Sequence, residues 1–473
     1  MHSDLCLVMD QGSHSSRAMI FDRFGHCHSQ GQVRIKTQLT QPNRAEQQPE
    51  QILISLKRAA LEAISTLKRE DRARLRNAAL ITQQSSMLCW DADSGSALTP
   101  VISWQDRRGS HYIDEIMPLA SMIRQLTGLY PNAHLAASKL RWCLDHLSFT
   151  TAKHRVRGGP IAAWLIKQLV HEQPDLVDGV NASRTMLYSI NEKNWHPELL
   201  NLFELPDSLL PTICPSTFHF GTLRLPGCEL PLDFVSGGQA AALFAFGPPS
   251  QENLHINLGI GGSLNRVLTE RGLHPQEKLL HSLVLSGKQP LFSAEGTVNG
   301  VANALEWALN ICRPESQNLD EWPAQFPDPP LFMNMVGGVG SPYWNALDRS
   351  CWLNDSEDPK ARMVAVMESI IFLICNNIVA MSALPKAKQI IIGGGVSQLD
   401  YICQGIADLS GISVLRYEQH ELSSLGAAWH AMPNSHREFK PETQFSPREN
   451  IPLEERYKKW LEVFREHLAK LDD

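Results

Sequence analysis

An α/β chain of two domains is what this sequence predicts, and three stretches predict it. Near the start, the apolar runs Leu5-Cys6-Leu7-Val8-Met9 and Ala18-Met19-Ile20-Phe21 flank a polar turn, Asp10 to Arg17, as two strands around a hairpin. In the second half, Leu254–Leu258 and Leu264–Leu268 flank Gly259-Ile260-Gly261-Gly262-Ser263 on the same plan. Further on, Ile390-Ile391-Ile392 runs into Gly393-Gly394-Gly395-Val396-Ser397 and then a helical pattern from Asp400 to Leu409. A chain of 473 residues exceeds one ordinary core, so the halves are read as domains of residues 1–246 and 247–473. Pro206, Pro211, Pro215, Pro226 and Pro231 punctuate the approach to that boundary.

The elements follow in order. The opening hairpin turns again at Arg23–Gly25 and continues as a polar-alternating run to Leu39. Gln48-Pro49 leads into a helix with Ile52, Leu53, Leu56, Ala60 and Ile64 at three- and four-residue spacing. Ala78–Thr82 is a strand that ends in Gln83-Gln84-Ser85-Ser86, and in an α/β sheet the carboxyl ends of strands are where ligands sit. Met87–Asp91 is a further strand, Ser138–His146 and Ala162–Leu169 are helices, and Glu421–Trp429 is a helix whose small residues Ser424, Gly426 and Ala427 allow close approach of a partner or an adenine. The last stretch, Pro441 to Asp473, is charged and helical and is expected to wrap the outside.

Composition excludes several classes. A net charge of −7 with scattered Lys and Arg argues against a broad nucleic-acid surface. MHSDLCLVMD has no basic region followed by an apolar core, and Ile370–Leu384, broken by Asn376-Asn377, is too short to span a bilayer, so a cytoplasmic chain without membrane contact is expected. Ten cysteines without a C-x-x-C pair suit reduced thiols. His26-Cys27-His28 is a metal-like cluster, but adjacent side chains in a strand or turn point apart, which disfavours a metal there.

The chemistry starts from the glycine turns. Successive backbone N–H groups in such a turn form a concavity that binds phosphate, and a strand-end carboxylate such as Asp10 holds Mg²⁺ through water. An ordinary polar hairpin uses the same residues. A strand, a glycine turn and a helix start make a nucleotide platform at Gly393–Ser397, without the G-x-G-x-x-G fingerprint. Trp104-Gln105-Asp106-Arg107-Arg108 reads either as a sugar or anion clamp or as a surface ion-pair cluster.

Seven stretches in sequence order, DQGSHSSRA, ISWQDRR, NASRTMLY, GGQAAALF, SAEGTVNG, GSPYW and GGGVS with QGIADLSG and ELSSLGAA, resemble the FGGY carbohydrate kinases, with the wording of the glycerol kinases among them. The resemblance implies two ribonuclease H-like domains of the actin/hexokinase type. Each is a mixed five-stranded sheet flanked by helices, and the two surround a cleft. It implies ATP and Mg²⁺ as cofactors and a small-molecule carbohydrate as partner, and it leaves a homodimer open. Asp10 would sit near Mg²⁺, and Gly12, Ser13, Ser15 and Arg17 would face the ATP phosphates with Gly259, Ile260 and Gly261 opposite. Gly394, Gly395 and Ser397 would lie under the adenosine. Gln84, Ser85, Ser86, Trp104, Asp106, His134 and Gln239 would build the acceptor side.

The departures from the family's pattern bear on the substrate. Where the family has an Arg-Glu pair after its T-x-Q strand end, this chain has Ser85-Ser86, and His134 stands where glycerol kinases carry a Tyr. The catalytic Asp of the family's G-D-Q turn is Gly238, and Ile260 replaces a Thr in the second phosphate turn. Glycerol is therefore not the expected acceptor. Asp233 and His134 are the nearby candidates for a substitute base, and a kinase fold that binds ligand without efficient turnover is the alternative.

Overall fold

The computed structural model describes residues 4–41, 43–149, 151–268, 278–314, 318–345, 347–418, 421–432 and 439–472. The chain forms two units. The first contains Met1–Pro248, His281–Phe292 and Glu421–Glu438, and the second contains Pro249–Leu280, Ser293–His420 and Phe439–Asp473. The predicted break at 246/247 misses these two returns of the chain to the first unit.

In the first unit the opening apolar run becomes β1 (Leu5–Gln11), buried along its whole length because it is covered on both faces. It pairs antiparallel with β2 (Ser15–Asp22), which pairs antiparallel with β3 (Cys27–Arg34). Helix α1 (Pro49–Thr66) starts with Pro at its first position and buries Ile52, Leu56, Ala59, Ala60 and Ala63 on one face, against β2 and β3. Strand β4 (Leu75–Thr82) lies parallel to β1, β5 (Thr222–Leu225) and β6 (Cys228–Gly237) follow, and the order is β5-β6-β4-β1-β2-β3. The short helix α2 (Gly238–Ala242) leaves the end of β6. A second, five-stranded sheet (strands Gln38–Gln41, Arg44–Gln47, Val101–Ile102, Met87–Asp91 and Val156–Pro160) was not legible as a sheet in the sequence, since its strands are short and far apart in the chain.

The second unit repeats the plan. Its sheet contains β7 (Asn253–Leu258), β8 (Gly262–Leu268) and, after β9 (Leu280–Leu285), which but for Leu280 falls in the return of the chain to the first unit, the larger part of β10 (Leu291–Val298). Helix α3 (Ala302–Cys312) and the 22-residue α4 (Pro359–Ala380) come before β11 (Gln389–Gly393) and β12 (Ser413–Arg416). Next are α5 (Leu422–Ala431), which belongs to the first unit, then β13 (Thr443–Phe445) and α6 (Ile451–Asp472). The strand order is β9-β10-β8-β7-β11-β12-β13, with β7 antiparallel to β8 and parallel to β11. Both units thus share a five-stranded mixed kernel, β6-β4-β1-β2-β3 and β12-β11-β7-β8-β10, with extra strands at the edges.

Helix α4 is, among the described residues, the one long and apolar enough to cross a membrane, yet 83% of its apolar window is buried. Its Asn377 is held inside by Ser341 Oγ at 2.6 Å and by bonds to the Ser341 and Leu373 carbonyls. The C-terminal stretch is helical over α6 with most of its residues exposed or half-exposed, and it is also anchored to the second unit. Strand β13 extends the sheet, and α6 buries Leu453, Trp460, Phe464 and Leu468, with Trp460 Nε1 donating to the Phe332 carbonyl at 2.8 Å. The rings of Trp460 and Phe464 stack at 4.4 Å, which gives a charged helix a deep apolar stripe.

Candidate active site

The hairpin register puts Asp10 opposite Arg17, next to the turn that joins β1 and β2. Asp10 is 5% exposed. Arg17 Nη2 donates to Asp10 Oδ2 at 2.5 Å, and Nη1 donates to Glu421 Oε2 at 2.5 Å, so one guanidinium spans two carboxylates. Burial pushes the Asp10 carboxyl above its ordinary range, and the charge and hydrogen bond of Arg17 oppose that rise without cancelling it. Glu421 opens the ELSSLGAA stretch and was not anticipated as a site residue; the lone carboxylate ahead of a small-residue helix was the available signal.

The turn itself is tied inward. Gly12 N–H donates to the Ser15 carbonyl at 3.0 Å, and the Ser13 carbonyl accepts from Gln47 Nε2 at 2.8 Å. Ser13 Oγ accepts from Trp104 Nε1 at 2.9 Å and lies 3.3 Å from Gln83 Oε1, so this hydroxyl couples the hairpin turn to Trp104 and to the turn after β4. Ser15 begins β2, half-buried.

The acceptor-side residues divide into those that face outward and those that do not. Ser86 is fully buried; its Oγ donates to Gln83 Oε1 at 3.0 Å and accepts the Trp104 N–H at 2.9 Å. Asp106 is likewise buried, with its oxygens taken by the Ala45 N–H and by Arg108, so it holds a loop. Ser85 sits in the left-handed region at φ 63°, with Oγ 3.4 Å from the Arg184 carbonyl. His134 is bonded through Nδ1 to the Trp104 carbonyl at 2.7 Å, a contact that requires Nδ1–H and leaves Nε2 with its lone pair. Burial, reinforced by the charge of Arg107, lowers His134 to about 4, so it is neutral at physiological pH. Gln84 is half-buried, and its Oε1 has no partner among the described residues. Gln239 is exposed.

Gly238 is the first residue of α2, half-exposed, and a Cβ placed there would find Ser423 Oγ at 3.6 Å and the Thr82 carbonyl at 4.0 Å. The position is roomy as well as lacking a carboxylate. Asp233 does not replace it: it lies five residues earlier on β6, roughly 16 Å along the strand, and pairs with His219 Nδ1 at 3.0 Å.

In the second unit, Gly259 N–H donates to the Gly261 carbonyl at 2.9 Å, and the Gly259 and Ile260 carbonyls accept from Ala302 and Asn303 at the start of α3. The register pairs Asn257 with Gly393, which sets this turn beside the one that follows β11. There Gly394 has φ 91°, and a Cβ on it would lie 2.4 Å from the Leu258 carbonyl, so only glycine lets β11 pass the end of β7. Gly395 is open, with nothing within 4 Å of an added Cβ. Ser397 is 1% exposed and closes the turn by donating from Oγ to the Gly394 carbonyl at 2.7 Å.

Among the described residues no three His, Cys, Asp or Glu side chains form a metal cage. His26 and His28, two residues apart, share a side of the turn; Nδ1 of His26 and Nε2 of His28 both approach Asp22 Oδ2, at 3.3 and 3.0 Å. Mg²⁺ suits a different donor set, one carboxylate with waters and phosphate oxygens, and Asp10 fits it.

Two units, each with a strand–glycine turn–strand hairpin on a mixed sheet, define the actin/hexokinase-type class of folds. The model of the FGGY family of carbohydrate kinases, N-terminal domain, matches residues 5–233, and that of its C-terminal domain matches residues 262–434. The chain belongs to the FGGY family of carbohydrate kinases and is a phosphotransferase that uses ATP. A glycerol kinase of Thermococcus kodakarensis is 30% identical, over 97% of this chain and 96% of the relative. Glycerol kinase 2 of Saccharolobus solfataricus is 28% identical over 99% and 98%. The fold matches a crystal structure of Plasmodium falciparum glycerol kinase with ADP (TM-score 0.85, 19% identity, 99% and 98% covered). It equally matches that of a gluconate kinase from Lactobacillus acidophilus (TM-score 0.85, 16% identity, 99% and 98% covered).

Proposed function

We propose that this chain transfers the γ-phosphoryl group of ATP, with Mg²⁺, to a hydroxyl of a sugar, polyol or related small carbohydrate other than glycerol. The observation that carries the reading is the contrast between the two sides of the first unit. The phosphate hairpin keeps a buried carboxylate with a guanidinium at 2.5 Å, while the acceptor side has turned Ser86 inward and left Gly238 empty of a side chain. Phosphoryl transfer needs positioning and charge stabilisation more than covalent help. Arg17 supplies N–H donors, and Asp10 would hold Mg²⁺, which when bound neutralises charge on the phosphate oxygens. The donors of the second phosphate turn are backbone N–H groups, which the change to Ile260 leaves in place.

The acceptor proton leaves late in a loose transition state, so it passes to water or to the lone pair on His134 Nε2. Gly238 supports the alternative of a fold that binds ligand with little turnover. Incubation with Mg·ATP and a panel of ketoses, aldoses, polyols and sugar acids, glycerol included, separates these by ADP release. No release above background with any member sinks the kinase reading, and glycerol as the best member sinks the claim about the acceptor.

A further inference from the structure

The helix Ala136–His146 carries a lysine where its neighbours bury apolar or small groups. Lys139 is 0% exposed, and among the described residues its ammonium forms no ion pair with a carboxylate. Its Nζ donates to three backbone carbonyls, Ser85 at 2.8 Å, Ser103 at 3.0 Å and His134 at 2.7 Å. An ammonium has three N–H bonds, and all three are placed. A buried charge is tolerated only with such satisfaction, so this one has a structural consequence.

The three carbonyls come from stretches far apart in the chain. Ser85 belongs to the turn after β4, Ser103 directly precedes Trp104, and His134 precedes the helix itself. Each stretch carries a residue of the acceptor side. Two further bonds close the cluster, His134 Nδ1 to the Trp104 carbonyl and Trp104 N–H to Ser86 Oγ.

We propose that Lys139 is a positioning residue of the acceptor site, its ammonium setting the mutual spacing of the turns that carry Ser85, Trp104 and His134. The proposal rests on the acceptor reading above. The charged and titratable groups that act on Lys139 are Asp106, Arg108, Cys143 and, from the preceding turn, His134. Asp106 is committed to Arg108, so it does not compete for the ammonium. Burial lowers Lys139 to about 7, with Asp106 opposing and Arg108 adding to the fall. Above that pH the neutral amine has two N–H bonds for three carbonyls.

Lys139→Met tests this in two ways. Amide hydrogen exchange, read without substrate, is expected to rise together in residues 83–86, 103–106 and 132–136 while α1 keeps its protection. With the best acceptor from the panel, the acceptor KM is expected to rise roughly 10²-fold, with the ATP KM within twofold, as for a misplaced binding wall. Unchanged exchange in the three stretches, or equal rises in the two KM values, overturns the proposal. If the variant does not fold, the native enzyme decides. From pH 6 to 10 its acceptor KM should climb about three- to tenfold, the loss of one hydrogen bond, while the ATP KM stays level, and a level acceptor KM overturns the role. Absence of any turnover alongside the three-stretch exchange pattern sinks the acceptor reading and leaves the positioning role standing.

Discussion

At the scale of single residues, Gly238 and Arg17 divide the chemistry. The space around a Cβ at position 238 accepts a larger side chain, with Ser423 Oγ at 3.6 Å as its nearest neighbour. Gly238→Asp should therefore fold, and if the site lacks only a general base, kcat should rise by ~10²–10⁴. Unchanged kcat with the best acceptor would place proton removal elsewhere. Arg17 faces the opposite test. Arg17→Met removes the donor that spans Asp10 and Glu421, and kcat should fall by ~10²–10³, as for loss of one preorganised transition-state donor. A loss confined to acceptor KM would show that Arg17 does not meet the phosphoryl group. That Asp10 and Arg17 stand beside each other was legible because a hairpin fixes which side chains face across it. The inward bonds of Ser86, Asp106 and Ser397 were not, because a motif position does not tell whether a hydroxyl or carboxylate turns outward or toward its own backbone.

Among the elements, α5 is the clearest case of a correct secondary-structure reading with the wrong neighbour. Its small residues were read as leaving room for a partner or an adenine. They make room for α2 instead: a Cβ on Gly426 would lie 1.8 Å from the Ala241 carbonyl, and Trp429 Nε1 donates to the Ala245 carbonyl at 2.9 Å. The helix also packs on β1 and β4, so it supports the strands that end in Asp10 and Gln84. Gly426→Ala should destabilise the protein by about 1–3 kcal/mol through overpacking, read as a lowered thermal midpoint. A midpoint within a degree of the native value would show that the two helices separate freely. The core helix α4 was legible from its apolar run, and α1 from its spacing and Pro49.

On the scale of the whole molecule, buried histidines shape the response to acid. Burial lowers His134, His255 and His430 to about 4 each, against about 6.5 in an unfolded chain. Between those values the unfolded chain binds protons that the folded one refuses, so stability falls as pH drops from about 6.5 to about 4. Asp178, raised by burial to about 7, acts in the opposite sense and offsets part of the loss. His430 lies stacked 4.7 Å from Phe234 and edge-on to Phe244, and its Nε2 has no partner among the described residues. His430→Phe should reduce the acid loss by up to ~3 kcal/mol, measured as the urea midpoint against pH. A variant with the native slope would rule out His430 as a contributor.

The sequence by itself determined the class of this protein. Apolar runs, glycine turns and their order are local features, and local features suffice for strands, hairpins and the family they belong to. It determined the pairing of Asp10 with Arg17 for the same reason, since the two are cross-strand neighbours in one hairpin. Only the tertiary structure decided the acceptor side, where Lys139, Ser85, Ser103 and His134 meet from stretches separated by tens of residues. It also decided that Glu421 closes on Arg17 across 404 positions. Such meetings depend on how the helices and sheets pack, and no spacing along the chain encodes them.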